Sequence, residues 1–142
     1  MTKITFLHGV NDRHQAIAGW LAQAYREGTR VVVYVPSEND MERLDRLLWM
    51  EPATSFTPHC QGNSTLASET PVVLAAVLDK PDHDECLINL SDGIPPGFSR
   101  FEQLIEFVST TDSDKISGRE RYRFYRERGY PLEAQEFSGA AV

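Results

Sequence analysis

The chain has 142 residues, a formal net charge of −7, 41% hydrophobic residues and 25% charged residues. This size and composition predict one soluble globular domain and exclude a disordered or fibrous protein. The acidity argues against a dedicated DNA-binding protein, which would carry a broad basic face. Apolar runs are too short to cross a bilayer and no leader pattern is present, so we expect an unprocessed cytoplasmic protein without membrane contact.

The first part of the chain alternates strands and helices. Residues 4–8 form an apolar run, and apolar side chains at helical spacing follow over residues 16–24. Residues 29–35 are almost wholly β-branched or aromatic, which is typical of a strand buried on both faces. Ser37 then caps a second helix, which ends before Pro52. Two successive strand–helix units predict an α/β fold with parallel pairing and right-handed crossovers.

The second part contains shorter elements. We expect an extended segment at residues 55–59 and two strands, at residues 72–76 and 86–90, around an acidic turn. A turn of helix at residues 98–101 is expected to precede a strand at residues 104–108, and residues 132–137 are expected to form a last edge strand. The segment 104–108 also fits a helix, but a strand is favoured because the helix after it needs a preceding strand. The whole predicts a single α/β domain over residues 1–142, with a mostly parallel sheet flanked by helices.

Residues 113–129 invert the charge of the rest of the chain. Between Lys115 and Arg128 there are six basic and two acidic residues, a balance of +4, so the remainder carries −11. The window contains no proline, begins with Asp112 or Ser113 as the N-cap and ends at Gly129. It therefore predicts one helix of about four turns.

Cations and aromatic rings share one side of this basic helix. On a helical wheel, roughly 60° of arc holds Lys115, Arg119, Tyr122 and Arg126. A solvated surface helix whose tyrosines lean on the core is the alternative interpretation. The preference for Arg over Lys favours a binding site, because guanidinium groups fork onto carboxylates and phosphates. The helix is therefore predicted to bind an anion.

The common catalytic and cofactor motifs are missing from the sequence. The turn after the first strand, residues 8–12, has neither the three glycines of a dinucleotide fingerprint nor the Gly-Lys-Ser/Thr of a P-loop. The serine-hydrolase elbow and the His-Glu-x-x-His zinc motif do not occur either. We expect no cofactor and no enzymatic activity. The alternative is a small nucleotide-binding or hydrolytic α/β enzyme that uses His8 and Asp12 as an acid–base pair.

The cysteines do not suggest a metal site. Cys60 and Cys86 are expected to be reduced thiols inside the cell. Together with His59 and His83 they could be drawn as a four-ligand zinc site, but adjacent ligands at positions 59 and 60 suit tetrahedral coordination poorly. No metal is therefore expected.

Two motifs resemble the chi subunit of bacterial DNA polymerase III holoenzyme. Residues 48–59 follow the pattern Leu-Trp-x-x-Pro-x-x-Ser-Phe-x-Pro-His, and residues 119–126 follow Arg-Glu-Arg-Tyr-x-x-Tyr-Arg. Residues 101–108 (FEQLIEFV) add to the likeness. The order of elements agrees from residue 4 to the C-terminus.

This resemblance implies a Rossmann-like domain that acts as a non-catalytic replisome adaptor. Its implied partners are the psi subunit, in a heterodimer, the clamp loader through psi, and the acidic, phenylalanine-ending tail of single-stranded DNA-binding protein. A repair helicase is a further expected partner, and contact with DNA is expected to be indirect.

The resemblance also implies roles for seven side chains. The cations for the tail's carboxylates are Lys115, Arg119 and Arg123, the apolar walls are Trp49, Val108 and Tyr122, and the psi-facing residue is Phe56. Core packing is the alternative role for Trp49 and Phe56. We expect Trp49 to be partly exposed, because residues 47–48 already fill the buried face of its helix.

A third hypothesis is direct binding of single-stranded nucleic acid to the basic helix. Tyr122 and Tyr125 would then serve as stacking platforms for bases. The acidity of the rest of the chain counts against it.

Overall fold

Three helices and seven strands make up the described part of the chain. The computed structural model describes residues 2–50, 59–61, 72–78 and 84–137. The strands are β1 (Lys3–Val10), β2 (Val31–Tyr34), β3 (His59–Gln61), β4 (Val72–Ala75), β5 (Cys86–Asn89), β6 (Gln103–Ser109) and β7 (Leu132–Glu136). The helices are α1 (Arg13–Arg26), α2 (Glu38–Met50) and α3 (Asp112–Glu127), with a 3-10 turn at Phe98–Arg100.

The strands of the described residues form one sheet in the order β3-β4-β2-β5-β6-β1-β7. Each neighbouring pair of strands is parallel. Parallel neighbours require crossover connections, which the alternation of strands and helices along the sequence supplies. The predicted α/β fold with a parallel central sheet, of Rossmann-like type, is therefore confirmed.

The shorter elements of the second part also agree with their predictions. Residues 104–108 lie in β6, residues 98–101 contain the 3-10 turn, and all but the last of residues 132–137 form the edge strand β7. The extended segment expected at residues 55–59 lies outside the described residues, except that His59 begins β3. The strand was thus the correct choice at residues 104–108.

The helices cover both faces of the sheet. Side chains of α1 and α2 pack on one face with Val31 and Val33 of β2, whereas Val32 packs on the other face with Tyr125 of α3. Successive residues of a strand point to opposite faces, so β2 is buried on both sides, as its apolar run predicts.

The helix ends follow from local hydrogen bonding. Ser37 Oγ accepts the N–H of Asp40 at 3.4 Å, which confirms the predicted cap of α2. The predicted N-cap of α3 was wrong by at least one residue, since the helix begins at Asp112 and its N-cap is Thr111. Gly129 ends α3 at a φ of 79°, a left-handed conformation that favours glycine.

The crossovers create a crevice between β1 and β6. These strands are neighbours, but the chain leaves β1 through α1 on one face and leaves β6 through α3 on the other. The two connections also run in opposite directions along the sheet, to β2 and to β7. Ligands of open α/β sheets bind at such switch points, outside the carboxyl ends of the strands.

Candidate functional site

A cavity of about 470 Å³ lies at the carboxyl ends of β1 and β6, under the first half of α3. Its lining comes from all three elements. The residues are Phe6, His8, Gly9, Val108, Ser109, Thr110, Lys115, Gly118, Arg119 and Tyr122. The cavity therefore occupies the crevice that the topology predicts.

The inner wall of the cavity is apolar and aromatic. Phe6 and Val108 are buried, and the half-buried Tyr122 packs edge-on against Phe6 with ring centroids 5.2 Å apart. Gly118 brings α3 close to the sheet, because a Cβ at this position would lie only 2.8 Å from Val108 Cγ2. The absence of that side chain lets the helix backbone contact β6 at the cavity.

The outer wall carries two cations one helical turn apart. Lys115 and Arg119 both line the cavity and are exposed. Within the described ranges, neither forms an ion pair with a carboxylate. Their charges are therefore available to an anion that enters the cavity.

A buried ion pair fixes the orientation of α3. Arg121 is 1% exposed and Glu106 of β6 is 0% exposed, with Arg121 Nε donating to Glu106 Oε1 at 3.0 Å. Glu106 Oε2 also accepts from the Tyr125 hydroxyl at 2.6 Å and from Asn89 Nδ2 at 3.0 Å. With Arg121 and Tyr125 held inward, Arg119 faces outward to the crevice.

These contacts correct two interpretations of the basic helix. Arg121 is one of its six cations, yet its charge is neutralised inside the protein, so five cations remain exposed. Tyr125 is 0% exposed and cannot stack on bases, which removes one of the two platforms of the nucleic-acid hypothesis. Burial raises the pKa of Tyr125, as does the Glu106 carboxylate, so its hydroxyl stays protonated and donates to Glu106.

A second polar cluster fixes the start of α3. Asp114 Oδ2 accepts the N–H of Ser109, the last residue of β6, at 2.6 Å, and Asp114 Oδ1 lies 3.5 Å from Arg13 Nη1. Arg13 Nη2 donates to the carbonyls of Asn89 and Ser91, each at 3.1 Å. Burial lowers the pKa of Arg13, and the charge of Asp114 opposes that shift. The cluster ties α1, β5, β6 and α3 together beside the crevice.

The structure brings four of the seven predicted site residues together. Lys115, Arg119, Tyr122 and Val108 all line the cavity. Arg123 is exposed one turn further along α3. Trp49 is 60% exposed near the end of α2, on the opposite face of the sheet from α3, so it does not line this cavity. Phe56 lies outside the described residues.

The predicted site did not include six of the lining residues, which are Phe6, His8, Gly9, Ser109, Thr110 and Gly118. Phe6 and His8 reach the cavity because β1 pairs with β6, although about 100 residues separate them along the chain. Gly118 lines it because α3 packs tightly on Val108. Local periodicity carries no signal for either contact, since both depend on tertiary packing.

His8 and Asp12 do not form the acid–base pair of the enzymatic alternative. His8 lines the crevice, whereas Asp12 lines a separate cavity of about 180 Å³. Asp12 Oδ1 accepts the N–H groups of His14 and Gln15 as the cap of α1, and Asp12 Oδ2 is paired with Arg43. The Asp12 carboxylate is therefore engaged in holding α1 and α2.

Of the four side chains drawn as a zinc site, only that of Cys86 is described, because His83 lies outside the described residues and nothing is described of the side chains of His59 and Cys60. The described residues contain no cluster of three or more His, Cys, Asp or Glu side chains that could hold a metal ion. Cys86 is a buried free thiol, and burial raises its pKa to about 12, which keeps it protonated and unreactive. The described helices include none that is long and apolar enough to span a membrane.

Comparisons with known proteins find one family and several relatives of this chain. A family model described as "DNA polymerase III chi subunit, HolC" matches residues 1–133. The chain is 31% identical over 129 residues to the DNA polymerase III subunit chi of Escherichia coli (strain K12), covering 90% of this chain and 88% of that protein. It is 32% identical over 111 residues to the subunit chi of Pseudomonas aeruginosa, covering 78% of this chain and 77% of that protein. For Haemophilus influenzae the identity is 30% over 115 residues, covering 80% of each protein.

Proposed function

The chain belongs to the DNA polymerase III chi subunit family, and we propose that it is a replisome adaptor that captures the acidic tail of single-stranded DNA-binding protein. Members of this family are accessory subunits of the polymerase complex rather than catalytic ones. In this role the chain binds psi, which joins it to the clamp loader. It acts in the cytoplasm and contacts DNA indirectly.

The observation that carries the proposal is the pairing of an apolar inner wall with a cationic outer wall in one crevice. Val108 and Tyr122 offer apolar surface, and Lys115 and Arg119 offer charge beside it. A peptide that ends in phenylalanine presents the same two chemistries, a ring and a terminal carboxylate on one residue. The volume of about 470 Å³ falls in the usual range for small-ligand sites, about 300–1,000 Å³.

Two contacts in the crevice contribute to the binding energy of the peptide's terminal residue. Full burial of a phenylalanine side chain contributes about 1.5–3 kcal/mol. A hydrogen bond from a cation to a carboxylate contributes about 1.5–3 kcal/mol. Together these terms come to about 3–6 kcal/mol, which does not exceed the cost of association by much, so affinity also depends on the further cations of α3.

Charge beyond the crevice extends the complementarity. Arg123 and Arg126 are exposed further along α3, so acidic residues that precede the terminal phenylalanine meet additional cations. The rest of the protein is strongly acidic and repels the same peptide. This contrast directs the tail to α3 and speeds its encounter with the site.

A second surface is proposed for psi. The family resemblance assigns Phe56 to it, and this residue follows α2, whose apolar side packs on the other face of the sheet from α3. Trp49 at the end of α2 is not part of the crevice, so we do not include it in the tail site. Psi and the tail would then bind at the same time.

Fluorescence anisotropy with a labelled acidic peptide ending in a free phenylalanine tests the tail site. Arg119→Ala removes the cavity's guanidinium and is expected to weaken binding about tenfold to a hundredfold. Arg126→Ala is the matched control, because Arg126 is exposed on the same helix but does not line the cavity. We expect that variant to weaken binding by no more than about threefold. Equal affinities for Arg119→Ala and the unmodified protein, both folded, would place the site elsewhere.

A further inference from the structure

His8 occupies a special position at the end of β1. It is the last residue in regular register with β6, where it pairs with Val108, and the register then shifts between His8 and Val10. Gly9 takes up this irregularity with a φ of 79°. Bulges of this kind redirect side chains at the rims of sheets. The result is an exposed imidazole that lines the same cavity as Lys115 and Arg119.

The groups around His8 are charged on two sides. From α3, Lys115, Arg119 and Tyr122 face the same cavity. From β7, Glu136 is the register partner of His8, and its Cγ lies 3.4 Å from the position of a Cβ on Gly9. From β6 and the residue after it, the neighbouring side chains are the uncharged Val108, Ser109 and Thr110.

An anion in the cavity changes the charges around His8. With the cavity empty, the charged groups that line or neighbour it are the cations of α3 and the Glu136 carboxylate. A carboxylate bound between Lys115 and Arg119 adds a second negative group, and a protonated imidazole can donate a hydrogen bond to it. Histidine is the side-chain type that changes charge between about pH 5 and pH 8, so this contact depends on pH near neutrality.

We propose that His8 is a third anion-binding side chain of the crevice, and that its protonation strengthens capture of the acidic peptide. The inference rests on the proposed function, because it assigns a residue to the same site. The bound carboxylate favours the protonated imidazole, so by linkage the peptide binds more tightly as pH falls and binding takes up a proton.

Peptide affinity at about pH 6 and about pH 8 tests the proposal. The peptide's own carboxylates stay ionised over this range, because Asp and Glu titrate near pH 4. We expect affinity to be about tenfold higher at about pH 6, the lower end of the effect of one added charge-assisted hydrogen bond. His8→Gln should bind weakly at both values, and His8→Lys, with a permanent charge, should bind tightly at both.

His14→Gln is the matched control, because it replaces another histidine outside the cavity. His14 Nε2 lies 2.9 Å from Asp40 Oδ1, and His14 does not line the cavity. This variant should keep the full pH dependence of binding. Calorimetry in two buffers of different ionisation enthalpy gives an independent reading, with proton uptake in the unmodified protein and none in His8→Gln.

Each outcome separates this inference from the proposed function. Absence of peptide binding at both pH values would remove the tail site itself. Peptide binding with equal affinity at both values, or a pH dependence that persists in His8→Gln, would overturn the role of His8 while leaving the tail site in place. Weak binding by a folded His8→Lys variant would also overturn it, because a permanent cation should replace the imidazolium.

Discussion

Replacing Glu106 by glutamine should destabilise the whole domain, because its carboxylate neutralises a buried arginine. The substitution keeps the shape of the side chain and creates no cavity, so the effect isolates charge and hydrogen bonding. Arg121, Tyr125 and Asn89 all donate to this carboxylate, at 3.0, 2.6 and 3.0 Å. An amide in its place offers one acceptor oxygen and turns its NH₂ group toward a donor.

The expected cost is about 3–5 kcal/mol, the usual consequence of leaving one member of a buried ion pair uncompensated. That is a large part of the total stability of a domain, about 5–15 kcal/mol. The burial of both side chains favours the upper half of this range, because Arg121 is 1% exposed and Glu106 is 0% exposed, and water therefore cannot replace the lost partner.

Urea denaturation followed by circular dichroism measures the loss. Glu120→Gln on the exposed side of α3 is the matched control and should change stability by less than about 0.5 kcal/mol. The double variant Glu106→Gln with Arg121→Met removes the unpaired charge and should recover part of the loss. A cost below about 1 kcal/mol for Glu106→Gln would refute the reasoning, because the pair would then contribute no more than an exposed one.

Three further outcomes are expected. Gly118→Ala places a Cβ 2.8 Å from Val108 Cγ2, so urea denaturation should show a loss of about 1–3 kcal/mol despite better helix propensity, and a stabilised variant would contradict the close packing. Burial raises the pKa of Cys86 to about 12, so the contribution of its protonated thiol to the free energy of unfolding is complete below pH 9 and is lost as pH rises toward 12. The melting temperature of the unmodified protein should therefore fall over this alkaline range, and Cys86→Ala should make that fall smaller. Phe56→Ala should impair psi binding in a pull-down and spare peptide affinity, whereas loss of both with a large drop in melting temperature would make Phe56 a core residue.

The sequence predicted the elements of the fold because their signals are local. The apolar, β-branched run of residues 31–35 indicates a buried strand by itself. Gly129 ends α3 through its own backbone conformation, which does not depend on what the helix packs against. The same is true of Lys115 and Arg119, whose spacing alone places them on one side of α3.

The rest of the site depends on contacts between distant residues. Arg121 carries the same charge as Arg119 and lies two residues away, yet it is buried because Glu106 faces it from β6. Arg13 meets Asp114 across 101 positions of sequence, and Phe6 meets Tyr122 across the gap between β1 and α3. No local pattern distinguishes an arginine that will find an internal carboxylate from one that will face solvent.

The position of β1 between β6 and β7 limits the order in which the strands of the sheet can pair during folding. The first strand of the chain pairs, among the described residues, with the two strands that are made last, residues 103–109 and 132–136. During synthesis these partners of β1 appear only about 100 residues or more after it, and contacts of such long sequence separation form slowly. The crevice between β1 and β6 is assembled when these contacts form. A prematurely terminated product would thus leave the hydrogen-bonding edges of β1 open to other chains, and it would have no site with which to recruit a partner.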